Sequence, residues 1–88
     1  MSTESENFEI PDNWEVKNDQ LCRKFEFPSY SQCVDFTNQV AYLAETQNHH
    51  PGITLEYSSV TLNLYSHDKG EISERDINFA LKVNELTI

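Results

Sequence analysis

The sequence contains little glycine and little cysteine, and each shortage excludes a class of function. The two glycines, Gly52 and Gly70, are too few and too far apart to form a loop that cradles a phosphate or a dinucleotide. The two cysteines, Cys22 and Cys33, have neither the paired spacing of a metal site nor the density of a disulfide-stabilised secreted domain. We therefore expect reduced thiols and a cytoplasmic protein, present in the nucleus as well if the source is eukaryotic.

Basic residues and long apolar segments are also scarce. Six Lys and Arg face fifteen Asp and Glu, for a formal charge of −9. This charge repels a phosphate backbone, so we expect no direct binding to nucleic acid. No segment approaches the roughly 20 apolar residues that span a bilayer, and the polar residues 1–7 do not resemble a signal peptide. We expect no membrane association.

The chain of 88 residues is long enough for one small domain with one hydrophobic core. Its first residues are polar and acidic, so we predict a flexible tail over residues 1–9 and a single domain over residues 10–88. A domain of this size buries only a modest part of its surface, and association with further copies would stabilise it.

Two segments have the alternating pattern of β-hairpins. Trp14–Lys17 and Leu21–Phe27 alternate apolar with polar residues, and Asn18-Asp19 between them is typical of a turn. Further along, Leu55–Tyr57 and Val60–Leu64 alternate in the same way and predict a second hairpin.

Two other segments have the spacing of amphipathic helices. The first begins after Ser29 or Ser31, either of which can cap it, and runs to about Thr46. The second begins after Ser73, where Ser73–Asp76 resembles a capping box. The second helix has two apolar stripes, and we expect the second stripe to face another subunit: Ile77, Ala80 and Leu81 on the first, and Phe79, Val83 and Leu86 on the second.

Strand pairs separated by helices, without a repeated strand–helix–strand unit, favour an α+β fold. We predict a four-stranded antiparallel sheet with both helices packed on one face.

All three histidines flank the second hairpin. His49 and His50 precede its first strand, and His67 comes after its second strand. Because a hairpin brings its two ends together, His67 should lie near His49 and His50. Imidazoles titrate near neutral pH, so such a cluster would suit acid–base catalysis.

Two alternatives remain open for these residues. Adjacent histidines after a helix can be solvated, or can interact with the helix dipole without any catalytic role. With Asp68, the three histidines also offer the ligand number of a zinc site, although no His-x-x-x-His or Cys-x-x-Cys spacing supports one. We predict no metal.

The order of polar and aromatic residues in this half of the chain is distinctive. Glu45 is followed after three residues by His49-His50-Pro51, after five more by Tyr57, after nine by His67 and after eight by Asp76. This order resembles the motif of the pterin-4a-carbinolamine dehydratases, a family also known as dimerization cofactors of a homeodomain transcription factor. The resemblance extends over about residues 10 to 86, and implies the fold of that family.

The resemblance implies a lyase that dehydrates 4a-hydroxytetrahydrobiopterin to quinonoid dihydropterin, with no metal or organic cofactor, in tetrahydrobiopterin recycling beside aromatic amino acid hydroxylases. It also implies assembly as a homodimer or homotetramer. The alternative that it leaves open is a non-catalytic binding protein, a dimerization cofactor or coactivator of a transcription factor. The residues that match the family's site are given by role: catalytic His49, His50 and His67; substrate-binding Glu45, Pro51, Ser66, Asp68, Lys69 and Asp76.

Several of these positions also have a simpler interpretation. Asp76 could serve only to cap the second helix, Glu45 could be merely solvated, and Tyr57 is expected to pack in the core. The chain departs from many relatives at Gly52-Ile53 and after His67, and these changes would affect the shape of the pocket.

Overall fold

The computed structural model describes residues 9–66 and 71–86. The predicted tail over residues 1–9 therefore lies outside the described residues, apart from Glu9. The elements are four strands and two helices in the order β1 (Glu15–Lys17), β2 (Gln20–Glu26), α1 (Tyr30–Gln47), β3 (Gly52–Leu55), β4 (Ser59–Leu64) and α2 (Glu74–Glu85). Neither helix is long and apolar enough to cross a bilayer, judged over the residues described.

The four strands form one antiparallel sheet in the order β1-β2-β4-β3. Strands β2 and β4 are central, and pair over six positions from Leu21 opposite Leu64 to Glu26 opposite Ser59. Both helices pack on one face of the sheet, so the predicted α+β architecture is confirmed.

The first hairpin is closed by Asn18-Asp19, as predicted. Both residues have left-handed backbone angles, with φ of 52° and 62°, and Lys17 pairs with Gln20 directly across the turn. Two-residue turns of this kind match the twist of the strands that they join, and Asn and Asp tolerate their positive φ better than other side chains.

The hydrophobic core lies between the inner face of the sheet and the two helices. Leu21, Val60, Leu62 and Leu64 supply the strand side and are fully buried. Aromatic rings bridge the layers, because the ring of Phe36 on α1 lies 4.6 Å from that of Phe25 on β2 and 5.3 Å from that of Phe27. These rings contribute much of the apolar area that a small domain has available.

Both helices begin at a serine. The Ser29 side chain accepts a hydrogen bond from the Gln32 backbone at 3.2 Å, which identifies Ser29 and not Ser31 as the cap of α1. At the start of α2, the Asp76 carboxylate accepts from the backbone N–H of Ser73 at 2.8 Å. Each interaction satisfies a backbone group at a helix start that would otherwise lack a partner.

One polar side chain, Asn84 on α2, connects three parts of the chain. Its side-chain oxygen accepts hydrogen bonds from Trp14 Nε1 at 2.8 Å and from Arg23 Nη1 at 2.7 Å. Its amide donates to the carbonyl of Asp12 at 3.3 Å. The guanidinium of Arg23 also stacks on the ring of Phe25, 4.2 Å from its centroid, so this cation is held both by a hydrogen bond and by an aromatic face.

The second hairpin is present, but its first strand lies earlier than predicted. Strand β3 begins at Gly52 and ends at Leu55, and the chain then turns where the Glu56 N–H donates to the Ser59 carbonyl at 2.8 Å. The expectation that Tyr57 packs in the core is wrong, because Tyr57 lies in this turn with 82% of its surface exposed.

The expectation for the second apolar stripe of α2 is wrong for two of its three residues, while the third, Leu86, is only partly buried. Phe79 and Val83 are 1% and 0% exposed within a single chain, so they contribute to its own core and not to a contact with another subunit. The exposed apolar residue of this helix is Leu81, which belongs to the other stripe.

Candidate functional site

The site begins where α1 ends. Asn48 has left-handed backbone angles (φ 53°, ψ 43°), its N–H donates to the Glu45 carbonyl, and the N–H of His49 donates to the Ala44 carbonyl at 3.1 Å. This pair of hydrogen bonds is the usual way for a left-handed residue to end a helix. It turns the chain so that His49 points inward, with 6% of its surface exposed.

The His49 imidazole lies between the end of α1 and the start of α2. Its ring meets the ring of Phe79 edge-on, with the centroids 5.9 Å apart. Its Nε2 lies 2.5 Å from Oδ1 of Asp76, whose side chain is fully buried. The apolar contact and the short polar contact together fix both the position and the plane of the ring.

Asp76 has hydrogen-bond donors on both of its carboxylate oxygens. While Oδ1 faces His49, Oδ2 accepts from the Ser73 N–H at 2.8 Å and from the Ser66 hydroxyl at 3.2 Å. The hydroxyls of Ser66 and Ser73 lie 2.5 Å apart. Because a buried carboxylate without partners is strongly unfavourable, this set of donors explains how Asp76 is accommodated at zero exposure.

The second nitrogen of the His49 ring also has a partner. Nη2 of Arg75 lies 3.2 Å from Nδ1 of His49. Arg75 and Asp76 are consecutive residues in the first turn of α2, and they contact opposite nitrogens of the same imidazole.

His50 lies in a different environment from its neighbour. Its Nε2 is 2.8 Å from Oε2 of Glu45, one turn back on α1, and the two side chains are 59% and 77% exposed. The chain therefore presents two imidazole–carboxylate pairs side by side in sequence, one buried and one open to solvent. A buried carboxylate orients an imidazole firmly, whereas an exposed pair stays mobile.

The remaining predicted site residues divide into two groups. Pro51 is half-buried between His50 and strand β3, and Ser66 is buried against Asp76. His67, Asp68 and Lys69 lie outside the described residues, so the expected approach of His67 to the other histidines stays a prediction. Over residues 9–66 and 71–86, no three His, Cys, Asp or Glu side chains lie close enough together to hold a metal ion.

Sequence reasoning missed two members of this cluster, Ser73 and Arg75. The sequence pattern identified Ser73 only as a helix cap, although its hydroxyl also contacts that of Ser66. Arg75 carried one available signal, because a cation in the first turn of a helix opposes the ordinary preference of the helix dipole. Such a departure from a local rule often marks a functional site.

The sequence matches one protein family over nearly its whole length. A family profile described as Pterin 4 alpha carbinolamine dehydratase matches residues 2–86. A protein of Thermomicrobium roseum is 46% identical over 78 residues, which are 89% of this chain and 83% of that protein. A protein of Koribacter versatilis is 42% identical over 73 residues, 83% of this chain and 78% of that protein. Both are named "Putative pterin-4-alpha-carbinolamine dehydratase".

Two solved structures share the fold. A crystal structure from Brucella melitensis, described as a transcriptional coactivator/pterin dehydratase, has a TM-score of 0.82 and 30% identity, and the match covers 88% of this chain and 84% of that one. A pterin dehydratase-like protein identified as a RuBisCO assembly factor in the alpha-carboxysome has a TM-score of 0.68 and 28% identity, over 83% and 84% of the two chains.

Proposed function

Because the chain belongs to the pterin 4 alpha carbinolamine dehydratase family, we propose that it is a lyase that converts 4a-hydroxytetrahydrobiopterin into quinonoid dihydropterin and water, in tetrahydrobiopterin recycling. The observation that carries this proposal is the buried pair of His49 and Asp76, at 2.5 Å, beside the exposed pair of His50 and Glu45, at 2.8 Å. Two imidazoles in contrasting surroundings suit a reaction that needs both an acid and a base.

The chemistry requires two proton transfers. Loss of the hydroxyl from C4a breaks a carbon–oxygen bond, and a proton delivered to the departing oxygen lets it leave as water. The electron pair that replaces this bond comes from the pterin ring, which gives up a proton from nitrogen. Neither transfer consumes a metal or a redox cofactor. A neutral imidazole can accept the one proton and a protonated imidazole can deliver the other, and both forms of histidine are accessible near neutral pH.

We assign the proton transfers to His49, His50 and His67. Glu45 and Asp76 orient His50 and His49, respectively, because each carboxylate lies within hydrogen-bond distance of one imidazole. Ser66 supports the same arrangement through its hydrogen bond to Asp76. Pro51, Asp68 and Lys69 complete the proposed pterin site on the basis of the family resemblance.

A stopped-flow assay tests this function directly. Chemically generated 4a-hydroxytetrahydropterin decays slowly in buffer, and we expect the wild-type protein to accelerate the decay. The variant H49Q/H50Q should lose the acceleration, while Asp35→Asn, a change of an acidic residue on α1 away from the histidines, should retain it. A wild-type protein that leaves the decay rate at the buffer value excludes the function.

A second candidate function is that of a non-catalytic binding protein, a dimerization cofactor or coactivator of a transcription factor. It is favoured by a largely apolar groove of about 480 Å³ along α1, in which Tyr42 is 74% exposed. The solved relatives described as a coactivator and as an assembly factor support it further. The groove is lined by Asn38, Gln39, Tyr42, Leu43, Thr46 and Leu86.

We also propose that the chain assembles as a homodimer or homotetramer in the cytoplasm. Cys22 and Cys33 are free thiols, as expected in a reducing compartment. Exposed apolar side chains support self-association, and light scattering at micromolar concentration would detect it; a monomer would contradict it. These side chains are Val16, Tyr30, Tyr42, Leu55, Tyr57 and Leu81.

The two candidate functions predict different effects of Tyr42→Glu. A charge placed in the groove should weaken binding of a partner or a second copy, because burying it without a counter-charge is costly. Catalysis at a self-contained histidine site should survive. If the variant loses dehydratase activity together with assembly, the site needs more than one copy of the chain.

A further inference from the structure

The two nitrogens of the His49 ring contact groups of opposite hydrogen-bonding character. Oδ1 of Asp76 lies 2.5 Å from Nε2, and Nη2 of Arg75 lies 3.2 Å from Nδ1. A carboxylate accepts hydrogen bonds, whereas a guanidinium has only N–H donors and no acceptor. The ring is therefore held between one pure acceptor and one pure donor.

This arrangement is satisfied by a single form of the imidazole. Nε2 must carry the hydrogen that it donates to Asp76, and Nδ1 must carry a lone pair that accepts from Arg75. The opposite tautomer would place a lone pair against the carboxylate and a hydrogen against the guanidinium. A doubly protonated ring would keep the contact with Asp76, but would direct an N–H toward the cation of Arg75.

The position of Arg75 in the chain is otherwise unfavourable. It is the second residue of α2, where the positive end of the helix dipole disfavours a cation, and its neighbours Glu74 and Asp76 are the acidic residues typical of a first turn. The Arg75 side chain is exposed, whereas His49, whose Nδ1 it contacts, is only 6% exposed. A cation at this position therefore satisfies no general rule of helix stability, and its contact with His49 supplies a specific reason for it.

We propose that Arg75 is a positioning residue that holds His49 in the neutral form with the hydrogen on Nε2 and the lone pair on Nδ1. The catalytic role of this Arg75–His49 contact rests on the proposed function. In that form His49 accepts a proton through Nδ1 when the exposed Arg75 side chain moves aside for the substrate. It does not donate one to the substrate, because its single ring N–H, on Nε2, is engaged in the hydrogen bond to Asp76.

The neutral form of His49 determines which histidine accepts a proton and which donates one. The proton removed from the pterin nitrogen goes to Nδ1 of His49, and the resulting imidazolium is balanced by the Asp76 carboxylate. The carbon–oxygen bond at C4a breaks, and the hydroxyl leaves as water with a proton from a different group. We assign that donation to the exposed imidazole of His50. Glu45 faces its Nε2, and this ring has no contact like that of Arg75 with His49 among the described residues, so no guanidinium opposes a second proton on its Nδ1.

Nuclear magnetic resonance of the free protein tests the form of His49 without any substrate. Long-range proton–nitrogen spectra of protein with ¹⁵N-labelled histidine distinguish the two tautomers and the charged ring, and the H49Q variant assigns the His49 signals. At pH 7 we expect the pattern of a hydrogen on Nε2 and an unprotonated Nδ1. A hydrogen on Nδ1, or a doubly protonated ring, in the wild type would overturn the proposal.

Variants of Arg75 test its part in this state. Among the residues that the structure describes, the charged groups that contact the ring are Arg75 and Asp76. In Arg75→Met, the carboxylate remains without the opposing guanidinium, so the spectrum should move toward the doubly protonated ring, and Arg75→Lys should restore part of the original pattern. Lys82→Met removes a cation about 10 Å further along the same helix and should leave the spectrum unchanged. An R75M spectrum identical to the wild type would refute the role of Arg75.

Kinetics separate this inference from the proposed function. R75M should lower kcat about 10-fold with little change in KM, the scale seen when an orienting partner of a functional histidine is removed. R75K should recover part of the loss. An unchanged kcat in R75M refutes the positioning role. A wild-type protein without dehydratase activity refutes the proposed function instead, and the spectra still decide the state of His49.

Discussion

His49 and Asp76 form a buried pair across 27 residues of sequence, with Nε2 and Oδ1 2.5 Å apart. His49 directly follows Asn48, the residue that caps the end of α1, and Asp76 lies in the first turn of α2. The same contact therefore joins two helices and orients an imidazole, so we expect changes to it to affect both stability and activity.

The variant Asp76→Asn should show the effect on stability. Asparagine has nearly the same shape and keeps an oxygen for the Ser73 N–H, but its NH₂ group cannot accept from His49. We expect the free energy of unfolding to fall by about 2 to 3 kcal/mol, the scale for losing a buried hydrogen bond to a charged group. Urea denaturation measures the change. Asp35→Asn, which touches neither helix start, should stay within about 0.5 kcal/mol of the wild type, and equal losses in the two variants would contradict the buried pair as the cause.

Loss of His50 should affect catalysis alone. Its side chain is 59% exposed and paired with an exposed Glu45, and such pairs add at most about 1 kcal/mol to stability. In His50→Ala we expect the dehydration rate to fall about 100-fold, the scale of a positioned acid or base, while the urea midpoint is retained. A variant with full activity would remove His50 from the mechanism.

Asn84 offers a test of the fold that should leave the site intact. In Asn84→Ala, the indole N–H of Trp14 and the guanidinium of Arg23 lose their shared acceptor. Unsatisfied donors at part-buried positions should lower the free energy of unfolding by about 1 to 3 kcal/mol.

Asn78→Ala is the matched control for Asn84→Ala, because Asn78 is exposed on the same helix and the change has the same effect on helix propensity. We expect no loss of stability in this control and unchanged dehydration rates in both variants. A similar destabilisation by the two substitutions would show that the hydrogen bonds accepted by the Asn84 side chain do not contribute to stability.

The two thiols should differ in their reaction with iodoacetamide. Burial raises the pKa of the Cys22 thiol above its ordinary value, nearby Lys17 lowers it, and Glu15 raises it. Since the thiolate is the nucleophile, alkylation of Cys22 should reach half its maximal rate at a higher pH than that of a free thiol. Mass spectrometry after a series of pH pulses measures this. Cys33, which is fully buried, serves as the internal reference for a thiol that reacts only on unfolding.

Local patterns predicted the central parts of the fold but not its edge. The alternation in Leu21–Phe27 and Val60–Leu64 identified β2 and β4, because one face of each central strand lies against the core. Strand β3 lies at the sheet edge, and three of its four residues are exposed. Without a buried face, its pattern was too weak to give the position of the strand or of the turn after it.

The family resemblance named candidate site residues but not their contacts. It named Glu45, His49, His50, Ser66 and Asp76, and the structure places Ser66 and His49 on different oxygens of Asp76. Whether Asp76 caps α2 or serves the histidines could not be decided from sequence, and it does contact both Ser73 and His49. Such contacts depend on how α2 docks against the end of α1, which no local pattern specifies.

Because α1 is capped by Asn48, directly before His49, the position of the His49 ring depends on the length of α1. Each residue added to a helix rotates the next part of the chain by about 100°, and here only Asn48 separates the last residue of α1 from His49. An insertion near the end of α1 would therefore carry the imidazole away from α2. The exposed turn over residues 56–58 has no such constraint and should accept added residues, so length variation among natural homologues is expected there and not between Val40 and His49.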